Sequence, residues 1–283
     1  MKGRRFVLTA VVYALCSFVS IASVAQQSKS QTVGDRSLIE LWESGRPAFG
    51  QYVTQHAQAT GDDAASPPYT VQTGLDLATN DLLDFAFLSL EQHYDATSAR
   101  DVATGIAQAG TDNALPLLVR IPPISVDGED AARERVKELL AMGANGVVIP
   151  HVMSADEART AVSFFAGANV WSPDNPGGDI VAMLIIEDPD VFAELEEIAN
   201  IQGFSALVCG IGSLTSALGG DREAAEAINM QVLAQSKRVG KPNLTTVSPE
   251  SVAGRVEQGF LGLLAYGPES NEAIRLGKLA AGR

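Results

Sequence analysis

Cysteine is nearly absent: the chain has 2 in 283 residues. Cys16 falls in an N-terminal stretch that reads as a removable leader, which leaves Cys209 alone inside an apolar run. One thiol cannot form an intramolecular disulfide, so packing has to hold the fold. Basic residues are also scarce, 20 Lys and Arg against 34 Asp and Glu, for a formal net charge of −14. Repulsion from phosphate therefore argues against nucleic acid and anionic membrane surfaces as partners. No glycine-rich phosphate-binding fingerprint follows any apolar run, which weighs against an open, doubly wound nucleotide-binding sheet.

The N-terminus carries a pattern of its own. Lys2, Arg4 and Arg5 form a positive n-region, and 6–21 is apolar. Ser23, Val24 and Ala25 then supply the small residues of a cleavage site before Gln26. A membrane anchor is the alternative, but the small-residue exit and the polar tract at 26–30 favour cleavage. The expected organisation is a signal peptide over 1–25, a polar tail over 26–36 and one domain over 37–283. Such a protein is periplasmic or secreted and free of the membrane after cleavage. Loss of three basic residues and no acid makes the mature form more acidic still.

With 46% hydrophobic residues, the remaining chain has material for one large core. Short apolar runs alternate with helical patterns. Strands are expected at 48–53, 85–90, 115–121, 146–152, 181–186, 206–209, 244–247 and 261–265. All are largely apolar on both faces, as in parallel strands covered on both sides. The helices between them carry caps: Ser37 before an opening helix, Asp95, an acidic first turn at 129–130, and Ser154 with Glu157 as a capping box. Eight strands alternating with helices over about 250 residues is the count of a single (β/α)8 TIM barrel. Two connections, 56–70 and 171–179, are longer than joining requires, and lid or inert insertion are equally open readings for them.

Catalytic groups in such a barrel project from the C-terminal ends of the strands. Those positions hold Glu91, Gln92 and His93 after the second strand, Arg120 in the third and His151 in the fourth. Glu187 and Asp188 follow the fifth, and Gly210, Ile211, Gly212 and Ser213 follow the sixth. A guanidinium pairs bidentately with a carboxylate, and glycines allow backbone N–H groups to approach one closely. The set suits a small carboxylate or oxo-acid ligand. His151, inside the expected fourth strand, reads as a packing residue, and His56 as an exposed loop residue.

Four segments, "PLLVRIP", "GANGVVIPHVMSADEARTAV", "IIEDPDVFAELEEIANIQGFSALVCGIGSLTSALG" and "GKPNLTTVSPE", resemble the HpcH/HpaI aldolase/citrate lyase family in order and spacing. The resemblance covers nearly all of 84–267. It implies a barrel of the phosphoenolpyruvate/pyruvate type and homo-oligomers that exchange a C-terminal helix. It also implies divalent-metal-dependent making or breaking of a C–C bond to a pyruvate enolate. Arg120 matches the family's enolate-stabilising arginine and Glu187 its metal-binding glutamate. Elsewhere the chain departs from the pattern. Ser89 stands where the histidine's acidic partner is usual, Gln92 at the histidine, Ser213 at the second metal carboxylate and Ile185 at a glutamine. Glutamine moves no proton, and a serine hydroxyl brings no charge to a cation, so the implied Mg2+ or Mn2+ site is weakened.

Two functional readings follow. The first is an exported, aldolase-like carbon–carbon lyase for a small oxo-acid or hydroxy-carboxylate, with an altered catalytic set. Its catalytic candidates are Arg120, Glu91, Gln92 and His93. Arg120, Gly210, Gly212 and Ser213 would bind substrate, and Glu187 the metal, with Ser213 at the doubtful second ligand position. The second is a periplasmic binding protein for small carboxylates on the same barrel. The retained charges favour the enzyme, and the lost proton shuttle favours the binder. His93 is read as capping the next helix, with replacement of the base as its other role.

Overall fold

Strands that are apolar on both faces need cover on both, and here helices cover the outside while a column of side chains fills the inside. The computed structural model describes residues 37–53, 69–110 and 114–283. The expected leader, the polar tail and nearly all of the 56–70 loop, His56 included, lie outside the described residues. The strands are β1 Ala48–Val53, β2 Phe85–Ser89, β3 Leu117–Arg120, β4 Gly146–Ile149, β5 Val181–Ile186, β6 Ala206–Cys209, β7 Asn243–Val247 and β8 Gly262–Ala265. Each pairs in parallel with its sequence neighbours, and β8 pairs with β1, so the sheet closes into the expected eight-stranded barrel.

Side-chain alternation splits the core into two layers. Phe85, Phe87, Leu118, Val148, Met183, Ile185, Val208, Leu244 and Leu264 point inward. Phe49, Ala86, Leu88, Val119, Leu184 and Leu263 point outward against the helices. The N-terminal end of the barrel is plugged. Ser37 caps helix Leu38–Glu43 by accepting the Glu40 N–H at 3.2 Å. That helix brings Trp42 against Trp171, ring centroids 5.8 Å apart, and the Trp42 Nε1–H donates to the Leu261 carbonyl at 2.9 Å. Among the described residues, the C-terminal end is the one left open for a site.

The helix caps agree with expectation in most places. Asp95 accepts from the N–H groups of Thr97 and Ser98 to open Ala96–Gln108. Ser154 accepts from the Glu157 N–H at 3.1 Å, but the Glu157 carboxylate reaches the Met153 N–H, one residue early for a reciprocal box. The segment after β5 enters as a 3-10 turn, Pro189–Glu194, before helix Leu195–Asn200. The last helix, Ser270–Ala280, packs on its own barrel, where Gly277 lets the Phe49 ring and Val252 approach. Among the described residues no helix is long and apolar enough to cross a membrane.

Candidate active site

The inward parity of the strands continues past their C-terminal ends and selects the site. On β1 it gives Tyr52, on β2 Ser89 and then Glu91, on β3 Arg120, and after β5 Glu187. Ser89 lies directly opposite Arg120 in the ladder, and its hydroxyl accepts from Arg120 Nε at 3.0 Å. The guanidinium also donates to Tyr52 Oη at 2.7 Å and pairs with Glu91 Oε2 at 2.6 Å. Tyr52 and Phe87 stack at 5.5 Å, and both rings flank the Arg120 guanidinium. Arg120 is therefore held rigidly, with its apolar stem walled by aromatic faces.

Glu91 and Glu187 are joined by His151. The Nε2 of His151 is 3.0 Å from Glu91 Oε1 in hydrogen-bond geometry, and its Nδ1 is 2.9 Å from Glu187 Oε1. The second contact is short yet lacks hydrogen-bond geometry, so Glu187 Oε1 is a buried acceptor with no donor. The Glu187 side chain is 4% exposed and that of His151 36%. Burial pushes the Glu187 carboxyl above the usual carboxylate range, and Glu91 adds to this, while His151, Ser213 and Arg120 pull it down. Gly210 makes the buried position accessible: a Cβ there would lie 1.8 Å from Glu187 Oε2. The ligand atoms of Glu91, His151 and Glu187 lie within 4.8 Å of one another. An orphaned carboxylate oxygen, a second carboxylate and an imidazole fit a divalent cation.

His151 lies elsewhere than its sequence position predicts. It was expected to pack within the fourth strand, but β4 ends at Ile149. Pro150 has no N–H to donate, and His151 turns left-handed at φ 52°, so the ladder resumes only at the Val152 N–H, which donates to the Ile185 carbonyl at 3.0 Å. That kink aims the imidazole at the two glutamates. Histidine tolerates this conformation better than most residues, but it is still a strained one. Tyr52, two residues beyond Gly50 on the inward face, joins the site although no polar strand-end pattern marks it in the sequence. Gln92 and His93 are exposed and outside this cluster. The chain leaves the sheet once the Leu90 N–H has bonded to the Arg120 carbonyl. The next helix is capped by Asp95, whose carboxyl the Ser98 hydroxyl bond holds below its usual value.

A cavity of about 200 Å³ opens at the C-terminal end, with Arg120, Glu187, Gly210, Gly212 and Ser213 in its wall and Met183, Ile185, Val208 and Leu264 beneath. A wider cavity of about 710 Å³ adjoins it, sharing Tyr52, Gly212 and Thr246 and adding Arg222, Glu226 and Arg255. A small anion seated on Arg120 thus has an apolar floor and space beside it for a second reactant.

No protein-family profile matches the chain. Its barrel superposes on an HpcH/HpaI aldolase/citrate lyase family protein from Burkholderia cenocepacia J2315 with a TM-score of 0.64 at 19% identity, over 87% of this chain and 98% of that one. The fold is that of the HpcH/HpaI aldolase/citrate lyase family. A second solved structure, the citrate lyase beta subunit from M. tuberculosis complexed with oxaloacetate and magnesium, gives a TM-score of 0.58 at 15% identity, covering 84% of this chain and 99% of that one. In sequence, the 2-dehydro-3,6-dideoxy-6-sulfogluconate aldolase of Pseudomonas putida is 29% identical over 148 residues. That match spans 44% of this chain and little more than half, 58%, of the relative.

Proposed function

We propose that this protein is an aldolase-like carbon–carbon lyase that cleaves or forms a bond next to the carbonyl of a small oxo-acid. The observation that carries the reading is that a fixed guanidinium, Arg120, and a buried carboxylate, Glu187, line one small cavity at the open end of the barrel. The aldolase name of the Pseudomonas putida relative supports it.

In the cleavage direction, a 4-hydroxy-2-oxo acid sets its carboxylate and 2-oxo oxygen toward Arg120. The C3–C4 bond breaks, and its electron pair moves through C3 to the C2 oxygen, where the guanidinium meets the developing negative charge. The C4 hydroxyl proton passes to the Glu91 carboxylate, and the C4–O bond becomes the aldehyde carbonyl. Return of that proton from Glu91 to C3 gives the pyruvate methyl group, so atoms and charge balance. Apolar residues under the cavity keep water from the enolate. Glu187 would hold a divalent metal, Mg2+ or Mn2+, and such an ion, when bound, supplies Lewis acidity toward the oxo-acid oxygens. The oxaloacetate and magnesium of the citrate lyase beta subunit support this assignment.

Pyruvate release from 4-hydroxy-2-oxo acids, followed in the presence of Mg2+ or Mn2+, tests the reading. Arg120→Ala and Glu187→Gln should each lower kcat/KM by about 10²-fold or more, the scale of losing one developing-charge contact. Turnover untouched by both substitutions would remove the site assignment. Saturable oxo-acid binding without turnover would instead favour a binding protein, a reading supported by the exposure of Gln92 and His93 away from the cavity. Export and self-association belong to the same proposal, supported by the leader pattern at 1–25 and by the family resemblance. A secreted form beginning at Gln26 and a mass in solution above that of one chain are their readouts.

A further inference from the structure

The contact between His151 Nδ1 and Glu187 Oε1 poses a chemical problem. The opposite ring nitrogen, Nε2, lies in hydrogen-bond geometry 3.0 Å from Glu91 Oε1. A carboxylate only accepts, so that bond uses a proton on Nε2, and in the neutral imidazole the lone pair is then on Nδ1. Nδ1 stands 2.9 Å from Glu187 Oε1, a buried acceptor without a donor, and the contact lacks hydrogen-bond geometry, so a proton on Nδ1 would not point at that oxygen. In the neutral ring two acceptors therefore face each other, and they repel unless a positive centre lies between them. Donor atoms about 2.1 Å from one cation and at right angles about it are about 3.0 Å apart, the separation seen here. Strain adds a second, independent sign. His151 is the non-glycine residue with positive φ among those described, and its backbone is bent where the ring must turn to reach Glu187.

We infer that His151 Nδ1 and Glu187 Oε1 are paired inner ligands for a divalent transition-metal ion, with Glu91 as the partner that fixes the imidazole. The inference rests on the metal-assisted lyase reading and changes its ligand set from carboxylate alone to carboxylate plus imidazole. Glu91 takes the His151 Nε2–H with one oxygen, while Arg120 holds its other oxygen at 2.6 Å. Outer carboxylates of this kind set the tautomer and orientation of a ligating histidine. Imidazole suits Co2+, Zn2+ or Fe2+ better than Mg2+, which takes oxygen ligands. The imidazole also offsets the ligand that a serine at position 213 does not provide. The partial exposure of the His151 side chain, 36%, leaves a route for the ion from solvent.

The full chain, stripped with a chelator, is titrated with Co2+ and, separately, with Mg2+. Binding is read from the visible d–d absorption of Co2+ and from the shift in Tm that each ion produces. The inference expects a Co2+ spectrum of a mixed nitrogen–oxygen site and a Co2+ affinity at least about tenfold above that for Mg2+. His151→Gln should abolish the spectrum. His151→Gly, which suits the left-handed backbone, should do the same while the metal-free protein stays folded by its Tm. Glu91→Gln should weaken Co2+ by about tenfold or more through loss of imidazole orientation. An unchanged Co2+ spectrum in both His151 variants, or no ion binding to the wild-type chain, overturns the inference. Pyruvate release is measured separately in each case, so a lyase whose metal ignores His151 is distinguished from a protein with no lyase activity.

Discussion

At the scale of single residues, the site depends on one missing atom. Glu187 and Gly210 approach so closely that any Cβ at 210 would overlap the carboxylate, 1.8 Å from Oε2 and 2.6 Å from Cδ. Gly210 is at φ −74°, so its backbone demands no glycine, and the requirement is space alone. Gly210→Ala must displace the carboxylate or the start of helix Ile211–Ala217. The cost of such overpacking is about 1–3 kcal/mol. Because the displaced group is the proposed ligand, ion-dependent stabilisation should be lost along with part of the metal-free Tm. A Gly210→Ala protein that keeps both would mean Glu187 has freedom the packing denies it. Arg120, Glu91 and Glu187 were legible in the sequence because they stand at strand ends, and the family resemblance singled out Arg120 and Glu187 there. His151 was not, because its direction depends on Pro150 breaking a ladder with another strand. Gln92 and His93 looked catalytic by position, but the chain departs from the sheet just before them.

Among the elements, the last helix is fastened to the barrel through one buried acid. Asp84, 2% exposed, accepts from the Phe49 N–H at 2.9 Å, from Lys278 at 3.0 Å and from both Arg283 terminal nitrogens at 2.7 and 2.8 Å. It ties the starts of β1 and β2 to the C-terminal end of the chain. Asp84→Ala removes the buried acceptor that Lys278, Arg283 and the Phe49 N–H share, a loss on the order of 3–5 kcal/mol. Asp84→Asn, which keeps an acceptor for Phe49, should cost less. Urea unfolding measures both, and limited proteolysis should show the C-terminal helix cleaved first in the alanine variant. Equal stability of wild type and Asp84→Ala would show that this helix is held by its apolar face alone. The number and order of strands were legible, since continuous apolar runs bounded by helix caps are a local signal. Their edges were less so. The third strand begins at Leu117 instead of 115 because Pro116 has no N–H for the ladder, although its carbonyl accepts from Ala86 at 2.8 Å. The 3-10 turn at Pro189–Glu194 was hidden because its composition is that of an ordinary helix start.

For the whole molecule, the charge excess sets a balance that contact geometry does not reveal. A formal charge of −14 repels itself in the compact state, and ions of the medium screen that repulsion over about 10 Å at 0.1 M salt. Local ion pairs act in the opposite sense, since salt weakens them. Pairs such as Lys137–Glu134 and Arg275–Glu272 join exposed side chains within single helices, and each is worth little in water. Self-repulsion should therefore dominate. In chelator-containing buffer, Tm should rise by about 2–4 °C between about 10 and 150 mM NaCl, the change that 1 kcal/mol produces in a domain of this size. A fall in Tm over that range would show that ion pairs outweigh the net field. The same field attracts divalent cations and repels small anions, which on the proposed lyase reading Arg120 would receive inside the cavity. Added salt should thus weaken Co2+ binding while easing the approach of the anion. Measuring ion affinity and KM for the oxo-acid across one salt series tests this: both effects arise from one field, so the ion must bind less tightly as KM falls.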